Sequence, residues 1–168
     1  TGKAMITLER GPVTRFAAAV TETNPIYRRT DAARDAGFDA IPAPPTYFFS
    51  AAAFAGAFPE DQPADAQPAS NPMMEIIGSL MAKGGMVLHG EQEFVYHGGE
   101  WPHVGDTLLG EGAISDVYEK EKSGGGKLEI YVTETTWKNE GTGKPVVTTK
   151  FTLAINCRAD AAEPKPLS

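Results

Sequence analysis

The residues best suited to metal or nucleophilic chemistry are three histidines, His89, His97 and His103, and one cysteine, Cys157. No two of the histidines have the close helical spacing of a zinc site, and Cys157 lies far from them in sequence, so no metal centre is expected. His97 ends a strand-like run and His103 sits in the loop Trp101-Pro102-His103, and both read as ordinary surface residues. His89, just before Gly90-Glu91, reads either as a site residue or as a histidine hydrogen-bonded locally. Gly124-Gly125-Gly126 has no helix start behind it to hold phosphate and reads as a flexible hairpin. Ser50 and Ser79 lack the strand-turn-helix setting of a nucleophile elbow. The informative stretch is Glu22-Thr23-Asn24-Pro25-Ile26-Tyr27, followed by Ala33, Gly37-Phe38 and Ala43-Pro44-Pro45-Thr46. On its own, Asn24-Pro25 is a turn and Pro44-Pro45 a rigid connector.

The elements that must position these residues divide into two parts. The first 60 residues read as helical. Pro12 is tolerated in a first helical turn, and Phe16 and Val20 form a stripe that ends before Asn24-Pro25. Asp31 can cap a short helix, Ala32 to Ala36, with Gly37 as its stop. Ile41 to Pro45 is extended. A third helix, Thr46 to Phe58, is apolar on nearly every face and so needs cover from other structure. Residues 59–75, rich in Pro, Ala, Asp and Gln, read as a surface excursion, and Met73 to Met86 is ambiguous. From Val87 the period changes to two. Strands are expected through Glu91 to His97, Thr107 to Tyr118, Leu128 to Lys138 and Val146 to Cys157, with turns at Gly105-Asp106 and Asn139 to Lys144. The expected architecture is α+β, an antiparallel β-sheet wrapped around a central apolar helix.

At 168 residues the chain suits one domain. We place that domain at 1–158 and a flexible C-terminal tail or linker at 159–168. Thr1 is not an initiator, so the natural start is expected upstream. Lys plus Arg is 15 against 22 Asp plus Glu, a net charge of −7 without a basic cluster, which argues against a nucleic-acid groove. No apolar run approaches the roughly 20 residues that span a bilayer. A single cysteine permits no intrachain disulfide, and a cytoplasmic setting is expected.

The order and spacing of these pieces resemble the MaoC-like dehydratases, the R-specific enoyl-thioester hydratases, in their FAS1-type N-terminal dehydratase-domain branch. The resemblance covers nearly the whole chain. It rests on Phe16-Ala17, Thr23 to Tyr27, Ala33 to Phe38, Ala43 to Thr46, Leu88-His89-Gly90-Glu91-Gln92, Gly105-Asp106-Thr107-Leu108 and Val117-Tyr118-Glu119-Lys120. It implies the hot-dog fold, in agreement with the sheet and helix read above. In active members the first motif is Gly-Asp-x-Asn-Pro-φ-His, with φ aliphatic. Its Asp and His act on water and on the α-carbon proton of the thioester. Here those positions hold Glu22 and Tyr27. Tyrosine, with a pKa near 10, is a poor base at neutral pH. A glycine N–H before the central helix polarises the thioester carbonyl in active members. That position falls at Pro45, which has no N–H.

Three altered positions in one site imply that this chain is the catalytically degenerate, acyl-binding subunit of a heteromeric enoyl-CoA or enoyl-carrier-protein hydratase. A hot-dog partner with an intact Asp/His motif would supply the catalytic pair, and a homodimer is the other assembly open to such a fold. The resemblance implies fatty-acyl or steroid side-chain thioesters, with CoA or a carrier protein as carrier and no further cofactor. No catalytic residue is expected in this chain, His89 being the one further candidate. Substrate contacts are expected from Asn24, Tyr27, Pro45, Thr46, His89 and Gly90. Arg28, Arg29 or Lys83 could meet CoA phosphates, although a solvated arginine pair is the plainer reading. Phe48, Phe49, Phe54 and Phe58 either line an acyl tunnel or form core, and core is preferred for most. Two other readings stay open: a stand-alone (R)-hydratase using Glu22, Tyr27 or His89, and an acyl-thioester binding module. Asn24-Pro25 and Pro44-Pro45 favour the hydratase branch over a thioesterase.

Overall fold

The computed structural model describes residues 2–49, 62, 77–79, 81–82, 86–123 and 126–156. Its first element, β1 (Gly2–Thr7), corrects the helical reading of the N-terminus. Six residues are too few for a period to declare itself. The strand is made by its partner, since Gly2 to Thr7 pair with Gly112 to Thr107 about a hundred residues on. Leu8 extends the link, donating to the Asp106 carbonyl at 2.8 Å.

Helix α1 (Arg10–Ala19) carries Pro12 in its first turn, as expected. Its buried residues are Val13 and Ala17, one turn apart, with Phe16 half-buried beside them. Val20 is the C-cap and is 49% exposed, so it does not belong to the stripe. After a short 3₁₀ turn (Pro25–Tyr27), α2 runs from Thr30 to Asp35. Gly37, at φ +92°, stops it: Gly37 donates to the Arg34 carbonyl and Phe38 to that of Ala33. Asp31 lies inside the helix rather than at its cap, and its carboxylate accepts from the Ala32 N–H at 2.9 Å.

The period-two region folds as four long strands, β2 (Met86–Tyr96), β3 (Thr107–Glu121), β4 (Lys127–Asn139) and β5 (Pro145–Asn156). With β1 they form one antiparallel sheet in the order β1-β3-β4-β5-β2. Each expected strand is present, but β2 begins at Met86 rather than Glu91 and ends before His97, and β3 runs past Tyr118 to Glu121. The register shifts at Gly90 in β2, between His89 and Glu91, and at Ser115 in β3, between Ile114 and Asp116. These two flank one cross-strand row, Val132–Thr152, and a third shift lies between Trp137 and Lys138. A cavity of about 250 Å³ lies on the Val132–Thr152 row, lined by Glu91, Ser115, Asp116, Val132 and Thr152 among others.

Among the described residues, two apolar clusters pack against the sheet. One joins Leu108, Trp137 and Val147 of the sheet to Val13, Ala33, Ile41, Tyr47 and Phe48. The other holds Leu153 and Ile155, with Ile77, Val87, Tyr131 and Phe151 against them. Tyr47–Phe49 is the start of the expected third helix, and its first two residues are buried against the sheet. Burying Phe48 completely stabilises the fold by about 1.5–3 kcal/mol. The remainder of that helix to Phe58 lies outside the described residues, as do the tail at 159–168 and, Gln62 apart, the excursion at 59–75.

Candidate functional site

The stretch Glu22 to Arg29 is held by its own side chains and by Arg10 and Thr14 of α1. Helix α1 ends with Thr21 in the left-handed region at φ 58°, where Thr21 donates to the Ala18 carbonyl and Glu22 to that of Ala17. A β-branched residue there is uncommon, because Cβ crowds the neighbouring carbonyl. The turn it makes delivers Glu22 directly into the motif. The Glu22 carboxylate accepts from the Asn24 N–H at 2.7 Å, and the Asn24 side-chain oxygen accepts from Ile26 N–H at 3.2 Å. The Arg28 guanidinium donates to the Glu22 carbonyl, while Arg10 donates to the Arg28 carbonyl at 3.2 Å. The Thr14 hydroxyl donates to the Tyr27 carbonyl at 3.3 Å. The expected Asn-Pro turn is present, with its polar atoms engaged locally.

Tyr27 is half-buried. Burial raises its phenol above the ordinary value, and the negative charge of Glu22 raises it further. Tyr27 is therefore a neutral phenol at neutral pH. It can donate a hydrogen bond but does not take a proton.

Pro45 stands just before the helical residues Tyr47–Phe49 and offers only a carbonyl, which accepts from the Tyr96 hydroxyl at 3.1 Å. The segment before it is held by the Trp101 loop. Ala43 donates to the Pro102 carbonyl at 2.9 Å, Val104 to that of Ile41 at 2.8 Å, and the Trp101 indole to the Ala43 carbonyl at 2.7 Å. Pro42, Ala43 and Pro44 are buried, whereas Pro45 and Thr46 are exposed. The rigid connector expected here is thus pinned by a second loop. Tyr96 and Trp101, whose rings meet at 5.4 Å, were not legible as its partners. Their alternation and Trp-Pro step signal only burial.

His89 is exposed on β2, with its ring edge-on to Phe151 at 4.6 Å and 5.5 Å from that of Phe49. Gly90 is the bulged residue beside it, and a Cβ there would stand 3.2 Å from the Thr152 carbonyl oxygen. The structure thus places the expected site residues in three groups: Glu22, Asn24 and Tyr27 together, Pro45 and Thr46 at the helix start, and His89 and Gly90 on β2. The rings that His89 meets belong to Phe49 and Phe151, whereas Tyr27 shares its surroundings with Glu22. Arg28 is engaged by Glu22, and Arg29 is ion-paired with Asp31. Lys83, Phe54 and Phe58 lie outside the described residues. Phe48 is core, packed edge-on against Trp101 at 5.9 Å. The other two histidines are not plain surface residues. His97 is half-buried with Nε2 2.8 Å from the Thr148 hydroxyl, and His103 is half-buried with Nδ1 3.4 Å from Asp106. No cluster of three His, Cys, Asp or Glu residues that could hold a metal is present among the described residues.

A five-stranded antiparallel sheet in the order β1-β3-β4-β5-β2, packed over the helical start at Tyr47–Phe49, is the hot-dog fold. The sequence matches the family described as FAS1-like, dehydratase domain region, over residues 1–149, and the chain belongs to that family, within the MaoC-like dehydratases. Among solved structures it is similar to a chain of the ChsH1-ChsH2 complex from Mycobacterium tuberculosis, with a TM-score of 0.70 and 20% identity over 99% of this chain and 90% of that one. It is similar also to a chain of the HadBC (3R-hydroxyacyl-ACP dehydratase) complex from the same organism, with a TM-score of 0.64 and 23% identity over 89% of each. The (R)-hydratase of A. caviae aligns with a TM-score of 0.56 and 16% identity, over 90% of this chain and 91% of that one. At such identities these likenesses establish the fold. No curated protein matches in sequence. No helix among the described residues is long and apolar enough to cross a membrane.

Proposed function

We propose that this chain is the acyl-binding, catalytically degenerate subunit of a heteromeric enoyl-thioester hydratase or 3-hydroxyacyl-thioester dehydratase. The observation that carries the reading is the condition of the motif turn. Its carboxylate is bonded to the Asn24 N–H, and the residue at its base position is a phenol raised further by burial. The lack of an N–H at Pro45 supports the same reading, because an oxyanion needs a donor and the atom present there is an acceptor held by Tyr96. The partner would supply the Asp/His pair. This chain would supply apolar wall, from Phe49 and Phe151, and a neutral hydrogen-bond donor at Tyr27. The proposed substrates are fatty-acyl or steroid side-chain thioesters of CoA or a carrier protein, handled without another cofactor in the cytoplasm. That two of the similar structures are two-subunit complexes supports a heteromer over a homodimer.

The test is hydration of trans-2-enoyl-CoA by the purified chain, followed by loss of its ultraviolet absorbance, with short, long and steroid-linked acyl groups. The expected result is no turnover alone and turnover on adding a hot-dog subunit with an intact Asp/His motif. Turnover by the chain alone, lost in His89→Ala or Tyr27→Phe, would instead establish a stand-alone hydratase. Acyl-CoA binding without turnover, whatever partner is added, would establish a binding module.

A further inference from the structure

The outer edge of β1 meets a side chain from 57 positions further along the chain. Leu109 of β3 stands opposite Met5, yet Met5 gives both of its backbone groups to Gln62. The Met5 N–H donates to the Gln62 side-chain oxygen at 2.8 Å, and the Met5 carbonyl accepts from the Gln62 side-chain nitrogen at 2.9 Å. Facing residues of an antiparallel pair exchange both bonds or neither, and the two kinds alternate along a strand. Met5 is of the second kind, so the residues whose backbone faces outward from β1 are Lys3, Met5 and Thr7. Gln62 holds the centre of that row.

The chemistry of the contact is that of a strand. A residue of an added strand would set one N–H and one carbonyl against Met5. The primary amide of Gln62 presents the same two groups, so Gln62 and such a residue compete for one place. A carboxylate there would lack the donor, and an ammonium would lack the acceptor. Without Gln62, β1 is a competent template. It holds no proline, and its one charge, Lys3, lies toward one end. A two-fold about Met5 sets Lys3 opposite Thr7 and Ala4 opposite Ile6, so no like charges face each other.

We infer that Gln62 is an edge guard, which closes β1 to strand addition, and that a second copy of this chain is what it keeps out. A sheet that adds strands at both edges grows without limit by head-to-tail contact, whereas closing one edge keeps assembly finite. The guard thereby decides where on this sheet another chain can join. It is independent of the acyl-binding reading.

The test compares the unmodified full-length chain with Gln62→Ala and Gln62→Glu. Each is melted to show that it is folded. Exchange of the Met5 amide is followed by NMR in dilute samples, and self-association by sedimentation velocity over a range of concentrations. Gln62→Ala is expected to lower Met5 protection about tenfold when dilute. It should self-associate at least about tenfold more tightly than the unmodified chain, with protection returning at Lys3, Met5 and Thr7 as it does so. Gln62→Glu keeps the acceptor and loses the donor, so its Met5 protection should fall between the other two. Unchanged Met5 protection in folded Gln62→Ala would overturn the inference. So would a folded Gln62→Ala chain that loses this protection and self-associates no more than the unmodified one. Neither result bears on acyl binding or enoyl hydration, so failure here and failure of the functional reading are told apart.

Discussion

Gly110 of β3 lies against the face of Trp137 across the strand pair. A Cβ added at Gly110 would sit 2.6 Å from Cζ3 and 2.8 Å from both Cε3 and Cη2 of the indole. Real carbon contacts are near 3.5–4.0 Å, so the two must part by about 1 Å. Trp137 has nowhere to go, being 1% exposed and packed in the cluster with Leu108 and Val147. Gly110→Ala should therefore cost about 1–3 kcal/mol by overpacking, although alanine is otherwise the better strand residue. In a chain of 168 residues each kcal/mol lowers Tm by about 2–4 °C, so the melt should fall by about 2–12 °C. Thermal unfolding by circular dichroism and urea unfolding at constant slope would measure it. Gly11→Ala is the internal control: it lies in α1 with nothing within 4 Å of the added carbon, and should be neutral or stabilising by up to about 1 kcal/mol. Trp137→Phe removes atoms that clash, so Gly110→Ala should lose much of its cost in that background. A Gly110→Ala change below about 0.5 kcal/mol, or a cost undiminished in the Trp137→Phe background, would refute the argument.

Three further outcomes are expected. Thr21→Gly should raise stability by up to about 1 kcal/mol, read by urea unfolding, because glycine takes φ 58° without the left-handed penalty. The Tyr27 phenol should ionise above its ordinary value in an ultraviolet titration, and Glu22→Gln should lower that value without restoring it, since burial is the larger cause. With its folded-state value raised, Tyr27 contributes stability fully present below the unfolded value and lost as pH rises through the folded one. Asp31 is held at about 2 by Arg29, so its contribution is present above the unfolded value and lost as pH falls toward 2. The stability difference between the unmodified chain and Asp31→Asn should shrink across that window.

The sheet was legible because its strands are long. Ten or more residues of strand-like pattern, as in Lys127–Asn139 and Pro145–Asn156, survive occasional breaks in alternation. β1 was not, because a six-residue strand is defined by a partner far along the chain. Pro12, Gly37 and Gly105 act where their backbone preferences place them, Gly105 at φ +103° in the turn before β3. Thr21 shows the reverse: tertiary structure drives a residue that resists the left-handed region into it. In the candidate site, sequence order located the motif turn and the helix start. It did not reveal that Glu22 is bonded within the turn, or that Tyr96 and Trp101 fasten the Pro-rich segment. Those facts depend on which loops lie side by side, and no local pattern encodes that.

The bulges at Gly90 and Ser115 flank one row, Val132–Thr152, and lie in the two strands that border the β4–β5 pair. The β4–β5 ladder itself runs through that row in register. A bulge bends its strand and increases the local twist, so β2 and β3 turn at the same height on either side of an unbroken pair. The sheet is therefore creased across its width, as a palm folds at the knuckles, rather than curved evenly along its strands.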